Sequence, residues 1–493
     1  MKYKSIWKEN LKLKEYKNLE GNVKTDILII GAGITGITTA YNLINSNYKV
    51  ILIDRNRCTT GTTSKTTGKI TYLQELVYNN IEKSSGFQMA KTYYESQKEA
   101  IRIIKRNIAD NNIDCNFQNS DSYTFTYDET QIPNFKKEEA FFDKIGVKYN
   151  NKNIMDSVYA IGVKNTYVFH PIKYLRGLLE KINLADNIKV YENTCALKVK
   201  KDGNKYIVIT ECGIIETEKI VLACNYPFFT IPGLFPLKSY LEKSYITATN
   251  VDKTFNINGI TNTIPYVSFR YHEAEEKYFL CLTGARKICD SLNTKKNYEK
   301  NVSYSKKVTG KSPSYAWMNM DVLTHDKIPL TGYYLIGEKG LLIATGYNTW
   351  GMTNGTISAK IISDLINNKT NKYIKAFSPN RQINMSTVKS FFVNSAFSST
   401  KAYVLSFLNK NPSWYKNKAK VVKKGGKRVG IYYDKDGKEH VVLNICPHLK
   451  CFLNFNEVDK TWDCPCHGSR FDIDGNSIKG PSIYNIKIES NKN

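Results

Sequence analysis

The chain has 493 residues, with 71 lysines and arginines against 45 acidic residues and a formal charge of +26 at pH 7. That length suits two or three domains with a sizeable core, and no apolar run approaches the roughly 18 residues needed to cross a bilayer, so no membrane span is expected. The basic excess is 61 Lys and only 10 Arg spread along the chain. Phosphate recognition favours forked Arg in a local patch, so the charge reads as a solvated surface and no nucleic-acid partner is expected.

Residues 1–23 form an N-terminal extension without the apolar core or cleavage site of a signal peptide, which points to a cytoplasmic protein. The apolar run Thr25–Ile30 suits a buried parallel strand, and it leads into Gly31-Ala-Gly33-Ile-Thr-Gly36 and a helical pattern. A second run, Lys49–Ile53, ends at Asp54. Strand, glycines, helix, strand and acid together make a dinucleotide-binding fingerprint. Gly31 makes the tight turn, Gly33 admits the pyrophosphate, Gly36 allows close helix packing, and Asp54 reaches a ribose hydroxyl. Whether the nucleotide is FAD or NAD is left open by the glycines alone.

Residues 75–110 alternate at helical spacing and predict a helix bundle beside the nucleotide domain. Residues 186–222 read as a β-meander broken at Asp202-Gly203 and Cys212-Gly213. From 240 to 317, alternating Tyr, Thr, Val and Phe predict a mixed sheet. Residues 371–417 lack strand patterning, and Thr387–Asn409 predicts a bridging helix. From about 418 the pattern is all-β, with Asp-Gly corners at Asp434–Gly437 and Asp472–Gly475.

Within that last segment stand Cys446-Pro447-His448 and, fifteen residues later, Cys464-Pro465-Cys466-His467. The spacing sets two thiolates and two imidazoles on two facing loops. Tetrahedral zinc accepts such a set, although zinc fingers usually keep Cys pairs and His pairs apart. A [2Fe–2S] centre with two histidines on one iron accepts it as well. Seven other cysteines (Cys58, Cys115, Cys195, Cys212, Cys224, Cys281, Cys289) have no metal spacing and read as buried small hydrophobes.

The segments Cys446–Cys451, Trp462–Phe471 and Lys479-Gly480-Pro481 resemble the two cluster loops and the proline loop of Rieske domains. The resemblance implies Cys446, His448, Cys464 and His467 as ligands of a [2Fe–2S] cluster and a Cys451–Cys466 disulfide. It also bears on the potential. Lys450 brings a positive charge near the cluster, Ser469 stands where a hydroxyl often donates to sulfide, and Phe471 stands where high-potential relatives carry a Tyr.

From Asp54 onward the chain resembles the D-amino-acid-oxidase-like (DAO) family of FAD oxidoreductases. Gly61–Thr71 is similar to that family's loop over the flavin. Phe169–Leu175, Val221–Pro227 and Ile343–Gly355 are similar to three further segments. Taken with the order flavoprotein then Rieske, the chain is identified as a member of the bacterial FAD-dependent oxidoreductases with a C-terminal Rieske domain. This implies an α/β Rossmann-type FAD domain (24–370) with a mixed-sheet substrate subdomain within about 240–317, a helical linker (371–417) and a small all-β Rieske domain (418–493). The expected FAD contacts are Gly31, Gly33, Gly36, Asp54, Arg55, Thr62, Thr63, Gly346, Trp350, Gly351, Met352 and Thr353. Where relatives carry Gly-His-Thr-Thr-Ala-Lys, this chain has Ser64-Lys65-Thr66-Thr67-Gly68-Lys69, so its substrate preference is its own.

The implied activity is an FAD-dependent dehydrogenase of an amine, amino acid or similar small molecule. Hydride passes to the flavin, then single electrons pass through the cluster to an external carrier. The alternative is an electron-transfer protein or reductase acting on another redox protein. Arg270 is the expected cation for a substrate carboxylate, with Tyr245 and Arg286 as lesser candidates and His170 a structural residue of its turn. A Rieske oxygenase is excluded, since its mononuclear iron needs two histidines and a carboxylate, and none of the 26 residues after His467 is His.

Overall fold

A computed structural model of the chain describes residues 1–9, 11–228, 233–264, 266–287, 294–382 and 419–488, with Val388 and Phe392. The first strand, β1 (Val23–Ile30), pairs in parallel with β2 (Val50–Ile53) and with Ile214–Leu222. The sheet extends through Ile188–Tyr191 on one side and Leu341–Thr345 and Leu330–Tyr333 on the other. Side chains of a strand alternate between faces. Ile27 and Ile29 accordingly enter one core with Ile37, Ala40 and Ile357 of the covering helices, while Leu28 and Ile30 enter another with Val208, Phe235 and Tyr334. Burial on both faces is why these strands read as continuous apolar runs.

The region predicted as a meander divides. Ala196–Asp202, Lys205–Thr210 and Ile214–Leu222 form the antiparallel run, but Ile188–Tyr191 joins the parallel sheet beside β2. Residues 75–110 supply the helices Val77–Ser85 and Phe87–Asp110, the second burying Ala90, Tyr93, Gln97, Ala100, Ile101 and Ile104 along one stripe.

A second, mixed sheet runs Tyr315–Thr324, Ser239–Asn250, Lys277–Lys287, Val267–Glu273, Ile257–Thr261, Asp121–Thr126, Tyr159–Val163. It is mixed because Ile257–Thr261 lies parallel to Asp121–Thr126. The mixed sheet expected within about 240–317 is therefore not bounded by those residues. Two of its strands come from before residue 164, a non-local pairing that local alternation does not reveal.

The C-terminal domain is all-β as expected. Ala419–Lys424, Lys427–Tyr433 and Glu439–Leu443 form one sheet, and Asn454–Asn456, Thr461–Asp463, Arg470–Phe471 and Ser477–Lys479 form the other. Both Asp-Gly corners are present, with Gly437 and Gly475 at φ +79° and +81° and the Asp434 and Asp472 carboxylates accepting backbone N–H groups across each turn. The start of the expected linker is fixed to the FAD domain, since Arg381 grips the Asp326 carboxylate at 2.6 and 2.7 Å. The expected helix Thr387–Asn409 lies outside the described residues.

Gly36 sits where a Cβ would lie 1.8 Å from the Gly31 carbonyl oxygen. Gly36→Ala is expected to force the first helix off the sheet, costing about 1–3 kcal/mol as overpacking does. Differential scanning calorimetry should show a lowered midpoint for the FAD domain, and an unchanged midpoint would contradict the close approach.

Candidate active site and cluster centre

At the end of β1, Gly31 adopts φ +109°, and a Cβ there would stand 2.6 Å from the Ala223 carbonyl oxygen. Only glycine fits both constraints. Gly33 caps the helix Ile34–Asn42, and the Thr63 hydroxyl accepts the Ile34 N–H at 3.1 Å, tying the short helix Thr62–Lys65 to that helix start. The Asp54 carboxylate accepts Ala32 N–H and Asn56 N–H, each at 2.8 Å. Burial pushes Asp54 up to about 6 against those two donors. Each oxygen keeps a further lone pair for a ribose hydroxyl.

These groups border a cavity of about 300 Å³. Of the expected FAD contacts, Gly31, Gly33, Asp54, Arg55, Thr62, Thr63, Gly351 and Met352 line it. Gly36 packs beneath the helix instead. Gly346, at φ +77°, makes a turn against Thr324. Trp350 faces a second cavity, and the Thr353 hydroxyl accepts from Gln74 at 3.2 Å. The glycine cradle, which a Cβ would fill, fits a dinucleotide. Two of the seven scattered cysteines, Cys212 and Cys224, are half-buried rather than buried, while Cys58, Cys115, Cys195 and Cys281 are buried and Cys289 lies outside the described residues.

The second cavity, about 310 Å³, adjoins the first and shares Thr66, Thr349, Gly351 and Met352 with it. Lys69 lies in its wall, its Nζ donating to the Gly259 carbonyl at 2.8 Å and the Ser268 hydroxyl at 2.6 Å. Burial, with the Arg270 charge adding to it, pulls Lys69 down to about 7. Burial also works against the Lys327 charge, but Tyr240, Glu75 and Glu242 outweigh it and raise that lysine. Four non-glycine residues of this wall hold positive φ: Glu75, Lys327, Asn348 and Thr349 at 59°, 67°, 50° and 68°. Such backbone persists only where its surroundings hold it.

Arg270 does not reach this cavity, and the expectation that it binds a substrate carboxylate is corrected. The residue is fully buried. Its Nη1 donates to the carbonyls of Thr67, Gly68 and Phe169 at 2.9, 3.0 and 3.0 Å, and its Nε donates to Tyr271 at 2.9 Å. Its Nη2 meets His272 Nδ1 at 3.1 Å, and the guanidinium stacks over Trp7. The loop 66–69 covers it, so its donors are spent on backbone and a neighbouring ring. Tyr245 packs against Tyr298 in a separate core, and the Arg286 side chain lies outside the described residues. His170 caps the helix Pro171–Ile182 by accepting Lys173 N–H, a structural role. The sequence marks Lys69 only as the end of the segment Ser64–Lys69 and does not mark Lys327. A lysine flanked by Gly68 and Ile70 in a strand is a signal for the first; the second has none.

In the C-terminal domain, each cluster loop is closed by its own backbone. Cys446 N–H donates to the Cys451 carbonyl at 2.9 Å, and Cys464 N–H donates to the Ser469 carbonyl at 2.8 Å. The His448 and His467 rings face each other at 5.1 Å, nearly perpendicular. The Cys446 and Cys464 thiols lie against each other, which drives the Cys464 thiol up and the Cys446 thiol down toward thiolate. Cys451 and Cys466 form a disulfide with Cα atoms 6.7 Å apart. His467 Nδ1 is buried and has no hydrogen-bond partner among the described residues. An orphaned ring nitrogen beside paired thiols fits a metal centre with two sulfur and two imidazole ligands.

A dinucleotide cradle opening onto a polar cavity, with a Cys₂His₂ domain docked beside it, defines an oxidoreductase with a nucleotide and a metal cofactor. The model for the FAD dependent oxidoreductase family (DAO) matches residues 26–365, and that for the Rieske [2Fe-2S] domain matches residues 408–488. The chain belongs to the DAO family of FAD-dependent oxidoreductases and carries a C-terminal Rieske domain, so its cofactors are FAD and a [2Fe–2S] cluster. It is 32% identical to YhfW of Bacillus subtilis (strain 168), a protein named for a Rieske 2Fe-2S centre, over 98% of this chain and 97% of that one. Its fold is shared with glycine oxidase from Geobacillus kaustophilus (TM-score 0.61, 14% identity, 73% of this chain and 100% of that one). L-proline dehydrogenase from P. horikoshii is comparable (TM-score 0.60, 18% identity, 73% and 98%). Among the described residues no helix is long and apolar enough to cross a membrane.

Two outcomes are expected. Arg270→Met removes the side-chain donor from four backbone carbonyls, and each buried carbonyl left unpaired costs about 1–3 kcal/mol, so soluble yield and thermal midpoint should fall sharply; a selective rise in KM with normal stability would restore a substrate role. His467→Ala should remove the Rieske EPR signal while leaving flavin absorbance intact, and an unaltered EPR spectrum would exclude it as a ligand.

Proposed function

We propose that the enzyme is a dehydrogenase of a small amino acid or related amine that passes electrons singly, through its cluster, to an external carrier. One observation carries the reading: the polar cavity adjoining the flavin cavity has the two lysines Lys69 and Lys327 on its walls. A cavity of about 310 Å³ admits a small amino acid, and a carboxylate that leaves water needs a cation. Two proteins of this fold are named for glycine and L-proline, both of that size. A relay protein acting only on another redox protein has no use for such a cavity.

On this reading Lys327, which is kept charged by its neighbours, anchors the carboxylate. Lys69 already gives two hydrogens to the Gly259 carbonyl and the Ser268 hydroxyl. In its neutral form the lone pair is left for the cavity, where it takes the proton of the substrate ammonium. The free amine then assists loss of hydride from the neighbouring carbon. Bound FAD supplies hydride acceptance, and the cluster supplies one-electron transfer.

Anaerobic mixing with a panel of small amino acids, N-methylated amino acids and amines tests the reading. One compound should bleach the flavin and raise the reduced-cluster EPR signal; if dithionite reduces both centres and no compound does, the dehydrogenase reading fails. For that substrate, Lys327→Met should raise KM about tenfold or more with a smaller change in kcat. Lys69 loses its proton as pH rises through about 7, so the rate of flavin reduction should rise through that pH and then level. Lys69→Met should lose that rise, and a profile unchanged by the substitution would remove Lys69 from the proton step.

A further inference from the structure

The cavity that begins at Gly31 and Gly33 is not closed by the FAD domain alone. Its far wall is Arg470, Ile478, Lys479, Gly480, Pro481 and Ile483, all from the Rieske domain. The docking is specific. Arg55 Nη2, from the end of β2, donates to the Ser477 carbonyl at 2.6 Å. Lys479 Nζ donates to the Met320 carbonyl at 3.2 Å, and Lys243 pairs with Asp463 at 3.1 Å.

Charge around this cavity leans positive: Lys65, Lys479 and Arg470 face it, and the Asp321 carboxyl, raised to about 6 by burial, offsets Lys479 only in part. Arg470 is neutralised by Asp463 and Asp459. Lys65 and Lys479, which face the same cavity, have no carboxylate within ion-pair distance among the described residues. Burial pushes both lysines down and Arg470 adds to it; Lys65 lowers Lys479 further, against the opposing pull of Asp321. Two cations that repel across a cavity bordered by a dinucleotide cradle are completed by an anion. Bound FAD brings negative charge in two ways, on its pyrophosphate and on its flavin ring when reduced.

We propose that the Rieske domain completes the FAD site: Lys479 of its proline loop, with Lys65 of the FAD domain, binds the negative charge of FAD, so that flavin binding and domain docking stabilise each other. The cofactor would then serve as a joint between the domains, and the loop beside the cluster would sense the flavin's charge. The inference does not depend on the identity of the substrate.

The test uses full-length protein with its cluster assembled and its flavin removed. FAD is titrated back and followed by quenching of its fluorescence, and the flavin midpoint potential is then measured. Lys479→Met should weaken FAD binding about tenfold or more, as loss of a charge-assisted contact does, and Lys479→Arg should restore most of it; this outcome assigns the contact to the pyrophosphate. A Lys479→Met protein with unchanged FAD affinity but a lowered flavin potential assigns it to the reduced ring. Either supports the proposal, provided the Rieske EPR spectrum is unchanged, which certifies the fold of the domain. If affinity and potential both match those of the unsubstituted protein, the Rieske domain is no part of the FAD site. Should Lys479→Met fail to fold, Lys65→Met, on the other domain, carries the same expectations.

Discussion

The buried carboxylate of Asp463 joins the two halves of the molecule. It receives Arg470 Nε at 2.9 Å, Thr461 Oγ1 at 2.8 Å and Asn456 Nδ2 at 3.3 Å from its own domain, and Lys243 Nζ at 3.1 Å from the other. Burial alone would raise its pKa, but Arg470 and Lys243 hold it well below the usual carboxylate range. Desolvating such charges costs several kcal/mol per ion, and only saturated geometry offsets it. A network of this kind contributes direction more than stability, because any other docking orientation strands a buried charge. Asp463 directly precedes Cys464, so the orientation it selects also positions that buried thiol.

The consequence spreads through the strand that carries Lys243. Successive side chains of Ser239–Asn250 point to opposite faces. Tyr240, Glu242 and Ser244 line the polar cavity, Leu241 lines the flavin cavity, and Lys243 reaches the Rieske domain. In the neighbouring strand Tyr315–Thr324, Val322 lines the flavin cavity beside Leu241 and Leu323 lines the polar one beside Tyr240, while Asn319 and Asp321 also border the flavin cavity and the Met320 carbonyl receives Lys479. Two adjacent strands thus form the partition between polar cavity, nucleotide cavity and cluster domain. A one-residue slip of Ser239–Asn250 would turn Tyr240, Glu242 and Ser244 away from the polar cavity and bring Leu241 and Lys243 to it.

The parts of the molecule set by local chemistry were legible in the sequence. The glycines after β1 announce themselves because no other residue survives φ +109° against a backbone oxygen. The Asp-Gly corners and the facing cysteine–histidine loops are likewise short-range patterns. What depended on distant parts of the chain was not legible. Arg270 stood on a plausible strand, but the loop 66–69 that consumes its donors lies some two hundred residues away. The strands Asp121–Thr126 and Tyr159–Val163 carry no mark of the sheet they join. Lys327 comes to line the polar cavity through a positive-φ backbone and three distant neighbours that the local sequence does not announce.

Depth also orders the features that bear on the cluster's potential. Lys450 stands in an exposed loop, where water and salt weaken its field. Phe471 is fully buried under the cluster loops and offers no hydroxyl. Ser469, also fully buried, meets the Cys446 sulfur with its hydroxyl, and that hydroxyl accepts Ser482 N–H at 3.0 Å, which fastens the proline loop to the ligand loop. A buried hydrogen bond, or its absence, acts in low dielectric and outweighs an exposed charge. The missing hydroxyl therefore counts for more than the added lysine, and the balance leans toward the lower part of the Rieske range. A cluster of modest potential lies close to a flavin's, so little free energy is lost when an electron passes between the two.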